Sequence, residues 1–129
     1  MSDETKWDKY AIEEKVLEIL AAEPDAGHHM GRGFMTAYQI AIEFARRYPE
    51  VVEGLGYKIG GRGTGEHYSL STYLARMLSG KIDSNQLEQV EGGFLSNQHL
   101  TDIVFSGDIH SSLTGTQFTL SMFRLRKSR

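Results

Sequence analysis

Residues 36–48, TAYQIAIEFARRY, predict the clearest helix of the chain. Thr36 and Gln39 have the spacing of a capping box, and Met35 and Ile40 occupy the positions of a hydrophobic staple. The apolar positions then recur at helical spacing: Ala37, Ile40, Ala41, Phe44, Ala45 and Tyr48. Pro49 ends this helix or opens a short further turn that Gly54 closes.

A second helix is predicted before this stretch, over residues 6–22. Thr5 and Asp8 have the spacing of a capping box, and Pro24 stops the helix. One face carries the apolar side chains Ile12, Val16, Ile19 and Leu20, and the other carries Glu14, Lys15 and Glu18. We therefore expect this helix to lie with one face on the core.

A third helix is predicted over residues 69–79. Ser69 is a good N-terminal cap, and Gly80 has the position of a glycine that ends a helix. The apolar stripe is Leu70, Leu74, Met77 and Leu78. At about 100° per residue the opposite face consists of Thr72, Ala75, Arg76 and Ser79. That face is small and polar, with one arginine.

The C-terminal part of the chain is predicted to be β structure. Residues 103–109 would lie on one strand and residues 118–125 on another, with a turn near Thr114 and Gly115. Residues 81–99 leave two alternatives, a short helix capped by Asp83 and Gln86 that ends at Gly92–Gly93, or a strand over residues 87–91. The expected fold is a single α+β domain, residues 1–129, with three main helices followed by an antiparallel hairpin or small sheet.

Composition limits the function classes. The 129 residues include no cysteine, which excludes disulfide scaffolds, thiolate metal sites and cysteine nucleophiles, and fits a cytoplasmic protein. No apolar run approaches the roughly 20 residues of a membrane span, so no membrane partner is expected. The net charge is −3, but residues 54–82 carry four basic residues against one acid, and the tail 124–129 carries four basic residues alone. Any polyanion would meet these two segments.

Residues 54–65 hold six glycines together with Lys58 and Arg62, directly before the third helix. Backbone N–H groups and the helix dipole at such a position both favour an anion. The spacing matches neither a P-loop nor a dinucleotide-binding motif. A surface loop without a ligand and a small-ligand or anion site both remain open.

The order of an N-terminal helix, a capped second helix (TAYQIAIEFARRY), a third helix with a small polar face (SLSTYLARMLSG) and a β-hairpin resembles the winged helix-turn-helix family of DNA-binding proteins. The resemblance implies that the third helix enters the major groove and that the hairpin touches the DNA backbone. It further implies that Ser71, Thr72 and Arg76 face duplex DNA. The candidate phosphate contacts are Lys58, Arg62, Lys81, Arg126 and Lys127. The implied function is a small non-catalytic nucleic-acid-binding protein of the kind that regulates transcription.

The alternative function is a protein–protein interaction module or homodimer. Phe118, Leu120 and Met122 alternate on one face of the last strand, whereas Phe123 and Leu125 fall on the other. A second covering surface is then required, and either a symmetric partner or another part of the same chain supplies it. The sequence predicts a homodimer through this strand, with the first helix or residues 81–99 as the competing cover.

The five histidines are His28, His29, His67, His99 and His110. Two pairings with carboxylates, His99 with Asp102 and Asp108 with His110, have residue types suited to a metal or a general base. Neither spacing is a recognised signature. We therefore expect surface histidines, no metal, no cofactor and no catalytic residue.

Overall fold

The computed structural model describes residues 3–61, 69–111 and 120–127. The helices are α1 (Asp3–Lys9), α2 (Ile12–Ala21), α3 (Ala37–Arg47), α4 (Pro49–Leu55) and α5 (Leu70–Asp83). The strands are β1 (Met35–Thr36), β2 (Val90–Leu95), β3 (Val104–Phe105), β4 (Ile109–His110) and β5 (Leu120–Leu125). Helices and antiparallel sheet occur together, which confirms the predicted α+β class.

The prediction of one helix over residues 6–22 is wrong, because the chain breaks between α1 and α2. Ala11 has a left-handed backbone (φ 49°), and α1 already begins at Asp3, so Thr5 lies inside it rather than at its cap. Trp7 and Ile12 are both buried, yet five residues would put them about 140° apart on one straight helix. The break allows both side chains to reach the core. The predicted stripe of α2, Ile12, Val16, Ile19 and Leu20, is confirmed as buried.

Helix α3 forms as predicted. The Thr36 N–H donates to Gln39 Oε1 (2.7 Å), and the Gln39 N–H donates to Thr36 Oγ1 (3.2 Å), so both halves of the capping box are present. Its apolar stripe is buried at Ala37, Ile40, Ala41 and Phe44. The further turn after Pro49 is α4, which ends at Gly56 in a left-handed conformation (φ 76°) and not at Gly54. Gly54 therefore belongs to the helix.

Helix α5 starts at its predicted cap but runs further than predicted. The Thr72 N–H donates to Ser69 Oγ (3.0 Å). The helix continues through Gly80 to Asp83, and the Ser84 N–H closes the last turn on the Gly80 carbonyl (3.0 Å). Ile82 packs against the core, and this packing stabilises the extra turn. It offsets the conformational entropy that Gly80 loses inside a helix. The predicted C-terminal role of Gly80 is therefore wrong.

The main sheet is antiparallel with the order β1-β5-β2, so β5 is its central strand. Residues 81–99 thus contain a strand, as one alternative predicted, but this strand begins at Val90. The alternative of a short helix that ends at Gly92–Gly93 is wrong.

The predicted single strand over residues 103–109 is also wrong. Strands β3 and β4 instead form a two-stranded hairpin, and Gly107 (φ 83°) and Asp108 (φ 59°) supply the positive φ values of its turn. The turn predicted at residues 114–115, and Phe118, lie outside the described residues.

Both faces of β5 are covered within one chain. Phe123 is 2% exposed and belongs to the core formed with the helices, and Leu120, on the opposite face, is 3% exposed. Helices α2 and α3 both pack against β5. The two-sided apolar pattern therefore has an explanation inside the monomer and does not require a second copy.

We expect Phe123→Asp to lower the free energy of unfolding by at least about 3 kcal/mol, since it removes a buried aromatic ring and buries a carboxylate. Urea denaturation measures this loss. Val104→Asp is the matched control, because Val104 is a strand residue that is 54% exposed, and it should change stability by less than about 0.5 kcal/mol. Release of folded monomers from a dimer by Phe123→Asp, seen by light scattering, would contradict the placement of this ring.

Candidate nucleic-acid interface

The outward face of α5 is largely as predicted. Thr72, Arg76 and Ser79 are exposed, and Ala75 is half-buried. Ser71 is the exception, because it is only 4% exposed and its Oγ lies 2.8 Å from Ser69 Oγ. A buried hydroxyl that is already hydrogen-bonded cannot reach DNA, so the prediction that Ser71 faces the nucleic acid is wrong.

The reason for the burial of Ser71 lies in the glycine-rich segment. Gly60 has φ 131°, and a Cβ at this position would overlap Ser71 Oγ. The backbone can pass this close to α5 only without a side chain. Arg62 lies outside the described residues, and Lys58 is exposed at the start of the segment.

The start of α5 is closed by the same segment. The Leu70 N–H donates to the Lys58 carbonyl (2.6 Å), the Ser71 N–H donates to the Ile59 carbonyl (2.9 Å), and the Thr72 N–H donates to Ser69. An anion at a helix N-terminus needs such donors. Since these three already have acceptors, the geometry does not favour the anion site that the sequence suggested.

Aromatic side chains connect three parts of the chain: α1, α5 and the residues that directly follow α4. Trp7 and Tyr73 have ring centres 6.2 Å apart, and Tyr57 and Tyr73 have ring centres 5.2 Å apart. Trp7 and Tyr73 are each 2% exposed. These rings therefore fix the relative positions of three parts of the chain that are distant in sequence.

Three basic side chains lie over these rings. Lys6 Nζ lies 5.3 Å from the centre of Tyr57, Lys81 Nζ lies 5.7 Å from Trp7, and the Arg76 guanidinium lies 5.9 Å from Tyr73. Cation–π contacts of this length restrict long side chains. Arg76, Lys6 and Lys81 therefore border one cluster of rings, and we call the surface around this cluster the α1/α5 face.

The basic tail lies in a different place. Arg126 donates from Nε to the Glu88 carbonyl (2.7 Å) and has Nη1 3.5 Å from Glu91 Oε1, and Lys127 is exposed next to it. Both tail residues border a surface groove that also contains Leu17 of α2. Arg126 and Lys127 thus border α2 and β2, whereas Arg76 lies over Tyr73, so the geometry does not favour the single phosphate-binding set that the sequence suggested.

The β3–β4 hairpin carries the carboxylate pairings noted in the sequence, but they meet at one histidine. His110 Nδ1 lies 2.7 Å from Asp102 Oδ2, and His110 Nε2 lies 3.2 Å from Asp108 Oδ1. The two ring nitrogens point away from each other, so the carboxylates do not converge on a common point. Among the described residues, no group of three or more His, Asp or Glu side chains could hold a metal ion. His67 lies outside those residues.

Sequence reasoning missed Lys6, Trp7 and Tyr57 as members of the α1/α5 face. Lys6 and Trp7 were assigned to a long first helix, and the spacing around Tyr57 shows no periodicity. Their role depends on rings that come together only in the folded chain. The sequence signal for these residues is the adjacency of basic and aromatic side chains at Lys6–Trp7 and Tyr57–Lys58.

Comparisons with protein-family models, with curated proteins and with solved structures found no match. Among the helices that the structure describes, each is too short or too polar to cross a lipid bilayer.

The pairing of His110 gives a pH prediction. The hydrogen bond that His110 donates to the Asp102 carboxylate raises the pKa of His110 above its ordinary value of 6.5, with Asp108 adding to the effect. Because folding raises this pKa, the pairing adds stability below about pH 6.5, and that contribution is lost as the pH rises through the folded pKa. An NMR titration should give a pKa above 6.5 for His110, and Asp102→Asn should lower it. An unchanged pKa in Asp102→Asn would contradict the assignment.

Proposed function

We propose that the protein binds duplex nucleic acid through the α1/α5 face and performs no catalysis. The observation that carries this proposal is the set of three cations, Lys6, Arg76 and Lys81, held over buried or half-buried aromatic rings beside the exposed face of α5. Cations neutralise phosphate groups, and a helix face that is small enough to enter a groove can reach base edges. Thr72 and Arg76 supply that face.

The architecture supports the same proposal. Helices α2, α3 and α5 are followed by the antiparallel pair of β2 and β5, which is the order on which the resemblance to winged helix-turn-helix proteins depends. Helix α3 packs directly against α5. In that family the helix in the position of α5 reads the major groove.

Two departures from the family pattern determine where phosphates would bind. Helix α4 and the glycine-rich segment separate α3 from α5, in place of a short turn. The connection between β2 and β5, residues 96–119, contains no Lys or Arg and carries Asp102 and Asp108. A hairpin of this charge would repel the DNA backbone, so we assign the phosphate contacts to α1 and α5.

The first test is the salt dependence of binding to a random-sequence duplex, measured by fluorescence anisotropy. Three phosphate contacts predict that log K falls with log salt with a slope of about −3. The double variant Lys6→Gln/Lys81→Gln should reduce the slope by about two units, since each lost phosphate contact removes about one. Binding that is absent at low salt, or a slope unchanged by the double variant, would contradict the proposal.

A second test separates base contact from phosphate contact. Arg76→Ala should weaken binding to a selected duplex by about tenfold or more and reduce the preference for that sequence. Arg46→Ala is the matched control, because Arg46 is an exposed arginine of α3 whose guanidinium is bound to Glu43 (2.6 Å). The control should change affinity by less than about twofold, because surface pairs of this kind contribute little. Equal losses in both variants would show that net charge alone is responsible.

A further inference from the structure

An open groove of about 540 Å³ lies between α2 and the end of β5, away from the contacts of the α1/α5 face. Its apolar surface comes from Leu17 and Ala21 on α2 and from Leu125 on β5. Leu17 and Leu125 are half-buried and pack against the core on one side. Their remaining surface is turned to solvent in the groove.

Three basic residues border this apolar surface: Arg32, Arg126 and Lys127. Arg32 donates from Nη1 to the Glu23 carbonyl (2.6 Å), and its Nε is buried without a partner among the described residues. The backbone of Arg126 is fixed by its N–H bond to the Gln89 carbonyl (2.8 Å). A guanidinium has five N–H donors, so each arginine retains donors beyond those it uses to hold its position.

The neighbouring Arg124 is not available to a ligand. Its Nε donates to Glu91 (2.7 Å), its Nη1 donates to the carbonyls of Met30 and Arg32, and its guanidinium lies 4.1 Å from the ring centre of Phe34. These contacts fasten the segment before β1 to the sheet. Arg124 therefore holds Arg32 at the border of the groove through the Arg32 carbonyl.

We propose that this groove binds an acidic amphipathic segment of a protein partner. Apolar side chains of the partner would cover Leu17, Ala21 and Leu125, and its carboxylates would meet the three cations at the border. Charge complementarity selects this occupant, because carboxylates form charge-assisted bonds with guanidinium groups while the apolar strip accepts Leu or Phe. The tail cations are thereby assigned to a partner protein and not to DNA.

The lining of the groove argues against a nucleic acid in the same place. A phosphate backbone gains nothing from an apolar strip, whereas the leucines of an amphipathic peptide would cover it. Glu18, which accepts a hydrogen bond from the Tyr48 hydroxyl (2.9 Å), lies at the border and opposes either anion, so the apolar strip is what separates the two occupants. The open shape also disfavours a small molecule, which usually buries most of its surface in its site.

The test uses a short fluorescein-labelled peptide of Leu, Glu and Asp with leucines at helical spacing, titrated with the full chain and followed by anisotropy. We expect saturable binding, and no binding of a control peptide in which Ser replaces each Leu at the same charge. The double variant Arg126→Gln/Lys127→Gln should weaken binding by about tenfold, as expected for two lost charge contacts. Both side chains are exposed, so folding should be retained.

The matched control is Lys9→Gln/Arg46→Gln, which makes the same change of net charge at exposed positions on α1 and α3. It should leave peptide affinity within about twofold of the unaltered chain. Equal binding of the Ser peptide, equal loss in both double variants, or no binding at low salt would each overturn the proposal. So would a tail variant that keeps peptide affinity and loses affinity for duplex DNA. The DNA tests use other residues, so either proposal can fail without the other.

Discussion

The central strand β5 must bury Phe123 in the helical core while it pairs with a strand on each side. Strand β1 leads directly into α3, and β2 follows α5 after a short connection, so the pairing of β5 fixes the ends of both helices. Gly92 stands opposite Phe123 in the register, and a Cβ there would lie 3.3 Å from the ring. The glycine leaves space for the aromatic side chain. The position of the α5 surface therefore depends on how this strand is packed.

Local features of the fold were predictable because their causes lie within a few residues. The capping box of Thr36 and Gln39 and the cap at Ser69 formed as the sequence indicated, since each needs only a side chain and an N–H group three residues away. The buried stripe of α2 followed from helical periodicity in the same way. These signals fix the helices but not their exact ends.

The remaining errors have nonlocal causes. Ala11 adopts a left-handed conformation that lets Trp7 and Ile12 both reach the core. The residues next to Ala11 include no Gly or Pro that would indicate a break in the helix. Gly80 resembles a helix end in sequence, yet Ile82 finds apolar neighbours and the helix continues. Pairing of β5 with β1 joins residues far apart in the chain, which a pattern search cannot detect.

The candidate site likewise combines features with local causes, which were predictable, and features with nonlocal causes, which were not. Exposure of Thr72 and Arg76 followed from periodicity, whereas burial of Ser71 results from a glycine eleven residues earlier. The two basic segments, residues 54–82 and 124–129, are not distinguished by their sequences, but their surroundings in the fold differ. Cations of the α1/α5 face lie over aromatic rings, and the tail cations border an apolar groove.

The most direct measurement is a two-dimensional ¹H–¹⁵N NMR titration of the full chain with a short DNA duplex at low salt. The central claim is that nucleic acid meets the α1/α5 face. It predicts that amide shifts concentrate on α5 around Thr72 and Arg76 and on α1 around Lys6, while the amides of Arg126 and Lys127 remain unchanged. Shifts confined to the tail, or a spectrum that DNA does not alter, would contradict it.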